Sequence, residues 1–143
     1  LLLDNVSIYM NTKKIKSGLN LSVKAAALAI NENEQLAEGT FTIDPVRAEV
    51  IFKQILAKNL GLNQATLEPL TTGSLVTEKP EIKEFIVENL TPVTYYSPAL
   101  ESSFIFENPS VLTVIQVKVK GVFSSRIITM YKLSSSQLTS IYN

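Results

Sequence analysis

Four rings close together in the chain, Tyr95, Tyr96, Phe104 and Phe106, are the side chains best suited to meet a ligand. Aromatic faces bury much apolar area, and a phenol adds a polar tip, so such a group can build a stacking or carbohydrate-binding surface. The competing reading packs the same rings into a sheet core beside Pro92, Pro98 and Pro109. Glu32, Glu34 and Glu38 resemble a cation site at first glance. They lack the aspartate-rich loop and fixed glycine of a calcium hand, and the chain holds only two aspartates, Asp4 and Asp44. A solvated turn accounts for them. Serines are plentiful, yet no Gly-x-Ser-x-Gly turn occurs and there is no histidine to activate one. A serine–lysine pair stays open on sequence grounds. Five scattered glycines do not make a phosphate-cradling loop.

Three stretches, Asn5-Val6-Ser7, Asn20-Leu21-Ser22 and Asn89-Leu90-Thr91, match the glycosylation acceptor pattern. Asn, Ser and Thr make up about a quarter of the residues, so such matches arise by chance. Cysteine is absent, which removes disulfides, thiolate catalysis and cysteine-held metals. The formal net charge is zero and only Arg47 and Arg126 are arginines, a poor equipment for reading phosphates or base edges. Nucleic acid is therefore not an expected partner, and no cofactor, metal site or enzymatic activity is expected.

The elements that must position these side chains follow from periodicity. At 143 residues, 45% hydrophobic and 18% charged, the chain suits one folded domain over 1–143. Ile8, Ile15, Leu19, Val23, Ala26 and Ile30 recur at helical steps, predicting a long N-terminal helix from a cap at Asp4 to about Ile30. Gly18, in its middle, marks a kink or a tight packing point. Thr40 to Ile43 alternates like a short strand. Asp44-Pro45 then starts a second helix, with Gly61 as its left-handed stop. Val46, Val50, Ile51, Ile55, Leu56 and Leu60 are its expected buried face.

Glu81 to Leu90 is ambiguous between strand and short helix. Prolines cut the next region into short extended pieces, among them Ser103 to Phe106. Val111 to Lys120 is the clearest strand, with Ile115, Val117 and Val119 alternating against Gln116, Lys118 and Lys120. After a break at Gly121, Ile127 to Leu133 reads as the returning strand, and Leu138 to Tyr142 as a last extended segment. The expected fold is α+β: a long N-terminal helix and a second helix packed on an antiparallel sheet.

One arrangement resembles a known family. The run Leu1-Leu2-Leu3, Asp4, and a helix ending in Leu21-Ser22-Val23-Lys24-Ala25-Ala26-Ala27-Leu28-Ala29 is similar to the start of tight-adherence (Tad/Flp) pilus pseudopilins. Gly39 to Asp44 and Val46-Arg47-Ala48 to Asn59-Leu60 look like the second helical unit of bacterial relatives, and Leu133-Ser134-Ser135-Ser136 like their serine-bearing end. The resemblance implies a membrane-anchored, outward-facing structural or accessory subunit of a pilus or secretion assembly. Its partners would be other subunits of that assembly, and the membrane through an N-terminal segment removed before Leu1. Its place would be the cell surface or another extracytoplasmic site. The alternative is a small-molecule or carbohydrate binding module built on Tyr95, Tyr96, Phe104 and Phe106.

Overall fold

A computed structural model describes residues 2–31, 41–121 and 127–137, the last of these by backbone. Helix α1 spans Leu2–Ala27 and α2 spans Pro45–Leu60. The strands are β1 Glu81–Glu88, β2 Val93–Ser97, β3 Ser102–Phe106, β4 Ser110–Lys120 and β5 Ile127–Gln137. Strands β1, β4 and β5 form one antiparallel sheet with β4 in the centre, and β2 and β3 form a separate two-stranded ribbon. Both helices pack on the same face of the three-stranded sheet, as an α+β fold requires.

The start of α2 is encoded locally. Asp44 keeps an extended backbone, and its carboxylate accepts from the N–H groups of Val46 and Arg47 at 3.0 and 3.2 Å. Pro45 follows where its missing donor is harmless. At the other end Gly61 takes φ 74° and donates its N–H to the Ala57 carbonyl. A Cβ on Gly61 would stand 2.5 Å from the Gly73 carbonyl oxygen, so glycine is needed there for space as well as conformation.

Along α1, Ile15, Leu19, Val23 and Ala26 are fully buried, as the stripe predicts. Ile30 departs from it. The helix tightens through bonds from the N–H of Leu28 to Ala25 O and of Ala29 to Ala26 O, and ends. Ile30 instead pairs as a single antiparallel bridge with Ile43. That bridge is all the structure shows of the short strand expected before Asp44, and Thr40 lies outside the described residues. Asp4 does not cap α1. It stands inside the first turn and is buried against Gly121, where an added Cβ would lie 2.9 Å from its carboxylate.

The buried face of α2 is rotated from the expected one. Ala48, Phe52, Leu56, Ala57 and Leu60 are buried, whereas Val46 is 75% exposed and Val50 also faces solvent. Hydrophobicity alone favours the larger valines, but close helix–helix contact favours small residues and shape. Gly18 supplies that closeness: a Cβ there would meet Asn59 Cβ and Leu60 Cδ1 at 2.9 Å.

The two faces of β4 read out the whole arrangement. Val111, Ile115, Val117 and Val119 join the helix-side core, while Leu112 and Val114 point the other way into a second cluster with Phe106. Where the ribbon no longer covers that second side, the alternate positions become Gln116, Lys118 and Lys120. In β1 a bulge at Lys83 lets Ile82 and Phe85, three apart, share the helix side. This spacing imitates a helical period and explains why 81–90 is ambiguous in sequence. Phe85 meets Phe52 of α2 with ring centroids 5.0 Å apart.

Candidate functional site

The β2–β3 ribbon carries the four rings, and the pleat divides them. Val93 pairs with Phe106, Tyr95 with Phe104 and Tyr96 with Ser103. Successive side chains on a strand take opposite faces. Tyr95, Phe104 and Phe106 consequently turn inward, packing with Val93 and Leu100 over Leu112 and Val114 of β4. Tyr96 turns outward and is 56% exposed, on the same side as Thr94 and Ile105. The structure thus brings three of the four rings together as packing and leaves the fourth on the surface.

A carboxylate absent from the sequence reading organises the inward side. Glu84 of β1 accepts from the Tyr95 hydroxyl at 3.0 Å with one oxygen and from the Ser97 hydroxyl at 2.5 Å with the other. Ser97 is fully buried, and its oxygen also accepts from the Leu100 N–H at 3.3 Å. The Glu84 carbonyl receives the Thr113 hydroxyl of β4 at 2.8 Å. Three strands are therefore joined through one residue. Burial pushes the Tyr95 phenol up to about 12, helped by its bond to Glu84 and by the negative charge of Glu84 and Glu88. Tyr95 is held as a neutral donor, and a neutral donor locked to a carboxylate is a fastener rather than a base.

Asn89 makes a second such fastening just beyond β1. Its amide nitrogen donates to the Ile43 carbonyl and its amide oxygen accepts from the Ile43 N–H, both at 2.8 Å. The side chain thus imitates a peptide group for a residue whose own surroundings are apolar. The nitrogen that a glycan would need is engaged. In the Asn20-Leu21-Ser22 match, Ser22 is buried and its hydroxyl donates to the Gly18 carbonyl at 2.7 Å.

A third feature is an open groove of about 390 Å³ between α2 and the start of β1, lined by Lys53, Leu67, Lys79, Pro80, Glu81 and Ile82. Two of its charged groups already have partners: Lys53 pairs with Glu49 at 2.9 Å and Glu81 with Lys83 at 2.7 Å. None of the four rings lines it. Glu32, Glu34 and Glu38, and the segment 138–142, lie outside the described residues. Among the described residues no three potential metal ligands gather.

Glu84 does not announce itself in the sequence, and Asn89 stands out there only as a glycosylation match. Glu84 sits among the other charges of β1, and only the ribbon folded over β4 gives its carboxylate two hydroxyl partners. Compared with known proteins, the chain matches no family model, no curated protein and no solved structure.

Proposed function

We propose that this is a non-catalytic structural or accessory subunit of a membrane-associated assembly, such as a pilus or secretion apparatus, that presents its ribbon to neighbouring subunits. The observation that carries the reading is the outer side of the ribbon and its approach. Leu90, Tyr96 and Ile105 stand exposed there, while the polar groups beneath are spent on one another. Tyrosine with an aliphatic neighbour on a rigid two-stranded platform is well suited to protein contact, since it supplies area at little entropic cost. The inward groups support a non-catalytic role, because Glu84, Tyr95 and Ser97 are mutually bonded and hold strands together. The proposed place is outside the cytoplasm, with a membrane anchor preceding the described domain. Among the described residues no helix is long and apolar enough to cross a membrane.

The test uses the full-length gene product in its own cells. Photo-reactive residues placed at Tyr96 and Ile105 should cross-link to discrete protein partners in the membrane fraction. A product that stays unlinked from both positions, or that fractionates with the cytoplasm, would refute the proposal.

A further inference from the structure

We infer that the outward face of α1 is a docking surface for an anionic lipid bilayer, on which the helix lies flat. Leu2, Leu3, Val6, Tyr9 and Met10 are all exposed, with Leu2 at 78%, Tyr9 at 59% and Met10 at 53%. At ~100° per residue these five fall within an arc of about 120°, opposite the buried side that holds Ile8, Ile15 and Leu19. The first three turns of α1 are thus apolar on both sides, and only one side is used by the fold. Isolated exposed apolar residues are ordinary, but five on one helical arc form a contiguous patch.

The charge around this patch selects the partner. Lys13, Lys14 and Lys24 are exposed on α1 and Lys16 is half-buried, whereas its only acidic residue, Asp4, is buried on the opposite side. Four lysines against one aspartate leave the helix at +3, so the rest of a chain of zero net charge stands at −3. The outer face of α1 is thus apolar and basic at once. A surface combining hydrocarbon with negative headgroups matches both features at once. The Lys13 ammonium already lies 4.8 Å from the Tyr9 ring centroid, so an interfacial phenol and a cation reach the same level. A second copy docking through this same face would meet it with lysines of its own, so a symmetric dimer is disfavoured and an anionic lipid surface favoured.

This goes beyond the assembly reading and does not depend on it. The experiment is flotation of the full 143-residue chain with vesicles of phosphatidylglycerol and phosphatidylcholine, against phosphatidylcholine alone. Binding should require the anionic lipid and fall as salt is raised. Lys13→Gln with Lys14→Gln should weaken it about thirty-fold, at roughly fivefold per lysine near a charged surface. Val6→Ser with Tyr9→Ser and Met10→Ser should abolish it with an unchanged circular dichroism spectrum. Because the chain has no cysteine, a nitroxide on a Tyr9→Cys variant reports immersion directly, and should gain contact with lipid-soluble oxygen on anionic vesicles. No binding by the parent chain, equal binding to neutral vesicles, or a concentration-dependent dimer that shields the nitroxide would each overturn the inference. Cross-linking from Tyr96 and Ile105 scores the assembly reading separately, so failure of one leaves the other standing.

Discussion

Asn89 and Glu84 are single side chains on which connections between distant segments rest. Ile43 is buried, and both its backbone groups depend on the Asn89 amide. Asn89→Ala would leave a buried donor and a buried acceptor unpaired, and should cost about 1–3 kcal/mol for each group that water cannot reach. Urea denaturation of the two proteins measures it. Loss of less than a few tenths would mean that the clasp is incidental. The Tyr95 phenol gives a second test. Its value in the fold, about 12 against an ordinary 10, means that the folded state favours the neutral form. The stabilisation is therefore whole below pH 10 and disappears as pH rises through about 12. Glu84→Gln should bring the Tyr95 titration part of the way down and no further, because burial, the largest cause, remains. A difference spectrum against Tyr95→Phe isolates that phenol from the other tyrosines. An unmoved titration would show that the carboxylate contributes nothing.

Between elements, the decisive contact is the crossing of α1 and α2 at Gly18. In an isolated helix Gly18→Ala would gain about 1 kcal/mol. Here the new methyl would stand 2.9 Å from Asn59 Cβ and from Leu60 Cδ1. Asn59 Cβ moves only with the α2 backbone, and Leu60 is fully buried, so the helices must separate. Overpacking of this kind costs about 1–3 kcal/mol, and we expect a net loss of stability of about 1 kcal/mol. An increase in melting temperature for Gly18→Ala would show that the helices can part freely. The same seam explains the rotation of α2: where helices approach this closely, Ala48 and Ala57 belong to the core while Val46 stands outside.

Across the whole molecule, β4 is the element that everything else covers. Helices lie on one side, the ribbon on part of the other, and β1 and β5 flank it. The helix-side core is extensive, whereas among the described residues the ribbon rests on a cluster whose enclosed members are Leu112, Val114 and Phe106. Local opening follows buried contact, so the two layers should differ in stability. Native-state amide exchange should find β4 protected to the global limit and β2–β3 opening at lower free energy. Phe106→Ala should widen that gap, by about 3–5 kcal/mol if the ribbon detaches. Uniform exchange across ribbon and sheet would make the molecule a single cooperative unit instead.

What the sequence determined by itself is what neighbouring residues can enforce. Asp44, Pro45 and Gly61 mark both ends of α2 through their own backbone preferences. The period of Ile15, Leu19, Val23 and Ala26 places α1 against a core, and the alternation of β4 sets its faces. Each of these signals acts within a few residues, so no partner need be known. The tertiary structure decided the rest. The bulge at Lys83 resolved as strand a segment that the sequence left between strand and helix, and the buried side of α2 followed the approach of Gly18 rather than the size of its valines. Asp4 became a buried neighbour of Gly121 instead of a cap. The rings at Tyr95, Phe104 and Phe106 became packing over Leu112 and Val114 of β4, with the Tyr95 hydroxyl held by Glu84 of β1. The physical reason is common to all four. A backbone preference is written beside the residue it governs, but a packing partner comes from a segment tens of residues away, and only the folded chain brings the two together.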